Sequence, residues 1–241
     1  MERVCQWALQ SNLRKFSDIV RDNEIDGDQL LNDVNEEALQ DLGFKRLKIN
    51  TILRKIEKLQ KAAKADPKDY APHFGLGQAY YSMGLYNNAI AEYKKAIELE
   101  PLFAAAHSGL GSSLGAIASY DEAVDSFKEA TRLGPNYGEA QFGLGWTYAQ
   151  LEEYEKAVLP LLTALKAKPR MVAGHFTLGR VYVALDDHIK AIKHFKRTLE
   201  ISPIYPDAYF EMGQSFLKQN SYLETLYLPY HPQHLQALQI P

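Results

Sequence analysis

The sequence predicts an all-α protein: a small helical domain followed by an α-solenoid of stacked helix pairs. Three observations predict the solenoid. Five prolines, Pro67, Pro101, Pro135, Pro169 and Pro203, stand thirty-four residues apart. Five glycines, Gly77, Gly111, Gly145, Gly179 and Gly213, keep the same spacing. Between them apolar residues recur at intervals of three and four, the helical period, and do not alternate as in a strand. A fixed repeat of this length is one helix pair that buries its apolar face only against its neighbours. Such an array offers an extended concave surface, so its default role is binding.

Each period reads as two antiparallel helices. Leu76 and Tyr80, then Ala89, Tyr93, Ala96 and Leu99, supply the apolar faces of the first, and Leu110, Leu114, Ala123, Phe127 and Ala130 those of the second. Leu144, Tyr148, Ala157, Leu161 and Ala164 follow, then Leu178, Tyr182, Ala191 and Phe195. Small residues at Gly77/Ala89, Gly111/Ala123, Gly145/Ala157 and Gly179/Ala191 let paired helices approach closely. An aromatic follows the expected inter-helix turn at Tyr86, Tyr120, Tyr154 and Tyr222, with His188 in the fourth copy. The prolines follow the second helix, which they cannot continue. At its small, aromatic, Ala and Pro positions the segment from Asp66 to about Tyr222 resembles the tetratricopeptide repeat (TPR). The large aromatic common near the start of that repeat is replaced by His73, His107, Gln141 and His175, with Tyr209 in the last copy. Repeats are expected near 70–103, 104–137, 138–171 and 172–205, with a partial one at 206–222, about four and a half pairs within a solenoid spanning 67–222.

Residues 1–60 do not share the period. Short apolar faces at Trp7, Leu13 and Phe16, at Leu30-Leu31 and at Leu39 and Leu42 are divided by polar breaks, and Asp26-Gly27 marks a tight turn. A longer helix follows, with Ile49, Ile52, Leu53, Ile56 and Leu59 on one side. Glu24-Ile25-Asp26-Gly27, Leu39-Gln40-Asp41-Leu42-Gly43-Phe44 and Ile52-Leu53-Arg54-Lys55-Ile56 resemble the SAM (sterile alpha motif) domain, which implies a five-helix bundle. The chain departs from that pattern after Phe44, where Lys45-Arg46-Leu47-Lys48 replaces the usual segment.

Charge divides sharply here. Residues 1–43 hold ten acids against four bases, and residues 44–64 hold eight bases against Glu57, giving net −6 and net +7. A body with one acidic and one basic region can dock head to tail on a copy of itself. The resemblance implies where: Asp22, Glu24, Asp26 and Asp28 on one surface, Lys45, Arg46 and Lys48 on the other.

Counting back one period aligns Leu59, Ala62, Ala65 and Pro67 with Tyr93, Ala96, Leu99 and Pro101. The last SAM helix is therefore expected to run on through a junction at 61–66 and serve as the missing helix of a repeat zero. At the other end, Thr225 and Pro229 stand where an Ala and an aromatic would continue the fifth pair, and Pro232 follows. Residues 223–241 are expected to form an irregular tail, rich in Leu and Tyr, that caps the fifth repeat or else reaches into the groove as a pseudo-ligand.

Composition bounds the function. With 46% hydrophobic and 24% charged residues and net charge −3, the whole chain does not attract nucleic acid or anionic membrane electrostatically. A lone cysteine, Cys5, forms no internal disulfide, and no apolar run approaches the roughly 18 residues of a membrane span. The cytoplasm is the expected location, with no membrane partner. Asp22 to Asp33 imitates a calcium loop but lacks its terminal Glu. Gly109-Leu110-Gly111 recurs at the repeat period without a preceding strand, so it is helix packing and not a phosphate loop. His231 and His234 have no acid or thiol near them in the tail. No catalytic constellation, cofactor site or metal site is expected.

The TPR resemblance places the first helix of each pair on the concave face. The expected groove residues are Phe74, Gln78 and Tyr81, Phe142 and Trp146, Phe176 and Arg180, and Phe210 and Gln214. Trp and Arg are favoured at binding hot spots, which singles out Trp146 and Arg180. The chain reads as a non-enzymatic adaptor that holds a peptide or protein client on its repeats and associates through its SAM domain with itself or another SAM. Two rivals are a regulatory module of a larger signalling enzyme and RNA binding through the basic SAM end helix.

Overall fold

The computed structural model describes residues 46–227, and among these every regular element is a helix. The SAM surface residues Asp22, Glu24, Asp26, Asp28 and Lys45, and the rest of the expected bundle before Arg46, lie outside the described residues, as does the tail after Tyr227. Arg46 and Lys48 fall in the first turn of a described helix, their side chains outside the description. The chain packs as two compact units, one up to Pro135 and one from Asn136, so the expected solenoid divides between its second and third repeats.

The first unit holds α1 (Arg46–Ala65), α2 (Tyr70–Ser82), α3 (Tyr86–Leu99), α4 (Ala104–Ala116) and α5 (Tyr120–Leu133). Each packs on the next, and α4 also touches α2. Its core joins Ile56 of α1 to Leu76, Tyr80 and Tyr93. The register of α1 is that of a second helix: Leu59 closes on Gly75 as Tyr93 closes on Gly109 one period later. The likeness stops there. Ala96 is fully buried, whereas its equivalent Ala62 is exposed. The helix α3 that carries Ala96 packs on the first helix of its own pair, and α1 has no such partner among the described residues.

The second unit holds α6 (Gly138–Gln150), α7 (Tyr154–Ala167), α8 (Val172–Ala184), α9 (His188–Ile201) and α10 (Pro206–Tyr227). Consecutive helices pack, and α8 also touches α6 and α10. The core gathers Leu161, Leu165, Leu178, Val181, Tyr182 and Phe195. Lys168 pairs with Glu139 across the start of the unit, holding that carboxyl below its ordinary range chiefly by hydrogen bonding.

The turn inside each pair is one device used four times. The residue after the first helix's cap has positive φ: Gly84 (77°), Ala118 (61°), Glu152 (59°) and Asp186 (60°). Its N–H and the next one donate back to two of the last carbonyls, as Gly84 to Tyr81 O at 3.0 Å and Leu85 to Tyr80 O at 3.0 Å. This left-handed cap satisfies carbonyls that would otherwise lack partners and reverses the chain.

The same turn is expected at Asn220, before Tyr222. It is absent. The helix α10 runs through that position to Tyr227, so the described chain ends in four pairs and one long single helix. Among the described residues no closing helix packs on the far face of α10, so the gain that would offset breaking its hydrogen-bond ladder is missing, and the helix continues.

Candidate functional site

Helices α6, α8 and α10 of the second unit come together around a cleft of about 340 Å³. Its walls include Trp146 and Gln150 from α6, Phe176 and Arg180 from α8, Tyr154 at the start of α7, and Glu211 from α10. The repeat period explains the convergence. Trp146 and Arg180 hold one register on successive first helices, so parallel stacking points both into one space.

The wall is braced from behind. The Phe176 ring lies 5.9 Å from that of Phe195 and 4.9 Å from that of Tyr205. Burial raises the Tyr205 hydroxyl pKa, Asp207 adds to this and Arg180 opposes it. The polar end is looser. Arg180 Nε stands 3.8 Å from Glu211 Oε1, beyond hydrogen-bond distance, and its side chain is 63% exposed. An exposed ion pair of this length is worth less than about 1 kcal/mol, so a ligand carboxylate could compete for Arg180 at small cost.

The structure thus brings Trp146, Phe176 and Arg180 together. Gln214, one period after Arg180, is exposed and lines no part of the cleft, and Phe210 is 66% exposed on α10. Phe142 packs against the core. In the first unit Phe74 does the same, its ring 5.8 Å from Tyr93 and 4.8 Å from Phe103. The recurring Phe is therefore partly a packing residue. Gln78 is exposed, and Tyr81, 40% exposed, meets Tyr86 edge-on at 5.5 Å. Sequence reasoning missed Glu211 and Tyr154. Glu211 had a signal: its register holds Gly75, Gly109, Gly143 and Thr177 in earlier copies, so a carboxylate there departs from the packing pattern.

A second polar cluster lies in the same unit. His175 Nε2 stands 3.1 Å from Pro169 O and must donate to it. Its Nδ1 is then an acceptor, and His194 Nδ1–H, 3.1 Å away, donates to it. Both rings are neutral in this arrangement. Burial, then His175, then Lys193 hold His194 down to about 4. Burial also lowers His175, with Arg197 adding, while the Pro169 contact and Glu200 oppose. Tyr182 stacks on His194 at 5.6 Å. Among the described residues no group of three or more His, Cys, Asp or Glu is placed to hold a metal ion, and no helix is long and apolar enough to cross a membrane.

Comparison with known proteins agrees with this architecture. Residues 79–117 and 179–220 match the TPR repeat family, residues 108–172 the tetratricopeptide repeat family, and residues 1–60 the SAM (sterile alpha motif) domain. The crystal structure of MamA is 30% identical, with TM-score 0.57, covering 61% of this chain and 86% of that one. MamA 41-end from Desulfovibrio magneticus RS-1 is 25% identical, with TM-score 0.59, covering 65% and 89%. YrrB, described as a TPR protein with an unusual peptide-binding site, is 24% identical with TM-score 0.62, covering 77% and 100%. No curated protein matches the chain.

Proposed function

Because this chain is a tetratricopeptide-repeat protein with a SAM domain at residues 1–60, we propose that it is a scaffold that holds a peptide in the α6–α8–α10 cleft and self-associates through its SAM domain. The observation that carries the reading is the convergence of Trp146, Phe176 and Arg180 on one cleft of about 340 Å³. That volume suits one or two peptide side chains. An apolar or aromatic side chain would lie between Trp146 and Phe176, and an acidic neighbour would take Arg180 from Glu211. Both wall residues sit on helices, so the site needs little ordering before it binds.

SAM association rests on the net −6 and net +7 parts of residues 1–64. Asp22, Glu24, Asp26 and Asp28 of one copy would meet Lys45, Arg46 and Lys48 of the next. Copies joined in this way would present several clefts at once and raise client affinity by avidity, on the order of 10²-fold.

A displayed library of random peptides, selected on the full chain and followed by calorimetry, tests the cleft. Selected peptides should lose at least about tenfold in affinity against Trp146→Ala and Arg180→Ala, the loss of one hot-spot contact. Failure to select any peptide, or selection of peptides indifferent to both substitutions, would sink the reading.

A further inference from the structure

The last described helix carries a face of the kind that receives another helix, and none of the described helices packs on it. In four pairs the mid-helix glycine meets a bulky side chain of the following helix. A methyl at Gly77, Gly111, Gly145 or Gly179 would stand 2.5–3.0 Å from Tyr93, Phe127, Leu161 or Phe195. Gly213 holds the same register on α10 and meets nothing within 4 Å among the described residues. Phe216 follows it at the register of Tyr80, Leu114 and Tyr182. Those three are 7%, 4% and 8% exposed, whereas Phe216 is 38% exposed. Tyr209, Phe210 and Leu217 beside it are 54%, 66% and 68% exposed.

We propose that this face joins two copies of the chain, with α10 of one packed antiparallel on α10 of the other and glycine opposite glycine. Four observations select a second copy as the occupant. The helix continues through Asn220 to Tyr227, so among the described residues nothing that follows the missing turn doubles back over Gly213. No charge lies among Tyr209, Phe210, Gly213, Phe216 and Leu217. Lys196 of α9 reaches only the Phe216 ring, at 5.7 Å, and Glu211 is turned to Arg180. An uncharged face meets its own copy without repulsion and offers a charged partner nothing to pair with. A small residue flanked by large ones on both sides is also complementary to itself about a two-fold axis.

The area is sufficient as well. At about 200 Å² per large side chain, the exposed fractions of the four large residues leave roughly 450 Å² on each copy. Two copies would bury about 900 Å² through these side chains alone, near the ~1,000 Å² of a specific interface and well below an obligate one. An interface of this size is a reversible one. This contact is independent of the SAM contact proposed above, and either can fail without the other.

The test uses the full chain with Cys5→Ser, which removes its only cysteine. Gly213→Cys in that background should form a disulfide-linked dimer on mild oxidation. Lys218→Cys, on another side of α10, should remain monomeric, and Phe216→Glu with Leu217→Glu should abolish the link. In parallel, sedimentation equilibrium is run with Lys45→Glu, Arg46→Glu and Lys48→Glu present to silence the SAM contact. There the two α10 substitutions should weaken the dimer at least tenfold. Equal linking at Gly213→Cys and Lys218→Cys overturns the proposal. So does linking that appears only after truncation at Tyr227, which would show the following segment in occupation of the face. If the double substitution disturbs folding by circular dichroism, the two cysteine variants decide alone.

Discussion

One substitution, made at the same repeat position in two copies two periods apart, should have opposite signs. Gly145 and Gly213 both sit inside helices, where Ala is favoured over Gly by about 1 kcal/mol. At Gly213 nothing lies within 4 Å, so Gly213→Ala should realise that gain in full. At Gly145 the new methyl would stand 2.6 Å from Leu161 Cγ and 3.0 Å from the Ala157 carbonyl oxygen. Leu161 is fully buried and has no room to turn, and a backbone oxygen moves only with its helix. Helices α6 and α7 must part by nearly an ångström, in the range where overpacking costs about 1–3 kcal/mol. Net of the helix preference, Gly145→Ala should cost up to about 2 kcal/mol. The two variants then differ by about 1–3 kcal/mol, and each kcal/mol moves the melting midpoint of a chain this size by about 2–4 °C. Solenoid segments can melt apart, so Trp146 fluorescence in a Trp7→Phe background should be read beside far-UV dichroism. Protein should be dilute, below the concentration at which copies would associate through α10. If Gly213→Ala destabilises as Gly145→Ala does, a helix covers Gly213 in the monomer and the account of α10 is wrong.

The His175–His194 pair makes the second unit acid-sensitive. Its folded pKa values lie below the unfolded ~6.5, so the unfolded state takes up protons first. The stabilising contribution is complete above about pH 6.5 and is lost as pH falls toward about 4, the value for His194. The full shift would correspond to about 3 kcal/mol, and for this partly exposed ring screening reduces it to roughly 1–2 kcal/mol. His194→Gln should flatten the urea midpoint over that range, and an unchanged slope would clear the pair of the effect. At the turns, Ala118→Gly should stabilise by about 0.5–1 kcal/mol, because a residue with a Cβ is strained at φ 61° and glycine is not. A thermal midpoint unmoved or lowered by Ala118→Gly would show that the turn carries no such strain.

Much of this protein was legible in its residues because a repeat overdetermines itself. A proline that must follow a helix and a glycine that must face one recur in step, so five copies point to the same pairing. Even Leu59, outside the repeats proper, takes its expected register against Gly75. Local signals could not decide what depends on a neighbour's presence. Nothing in Ala62 itself distinguishes it from Ala96; one has no adjoining first helix among the described residues and is exposed, the other has one and is buried. Asn220 suits a left-handed turn better than Ala118 does, yet Ala118 adopts it and Asn220 stays helical. A turn is stabilised by the packing of the helix that follows it, and that contact is long-range. The cleft follows the same logic. Trp146 and Arg180 were readable as neighbours because the period carries one onto the other. Glu211 entered only when α8 and α10 packed side by side and brought its carboxylate to face the guanidinium from a different register.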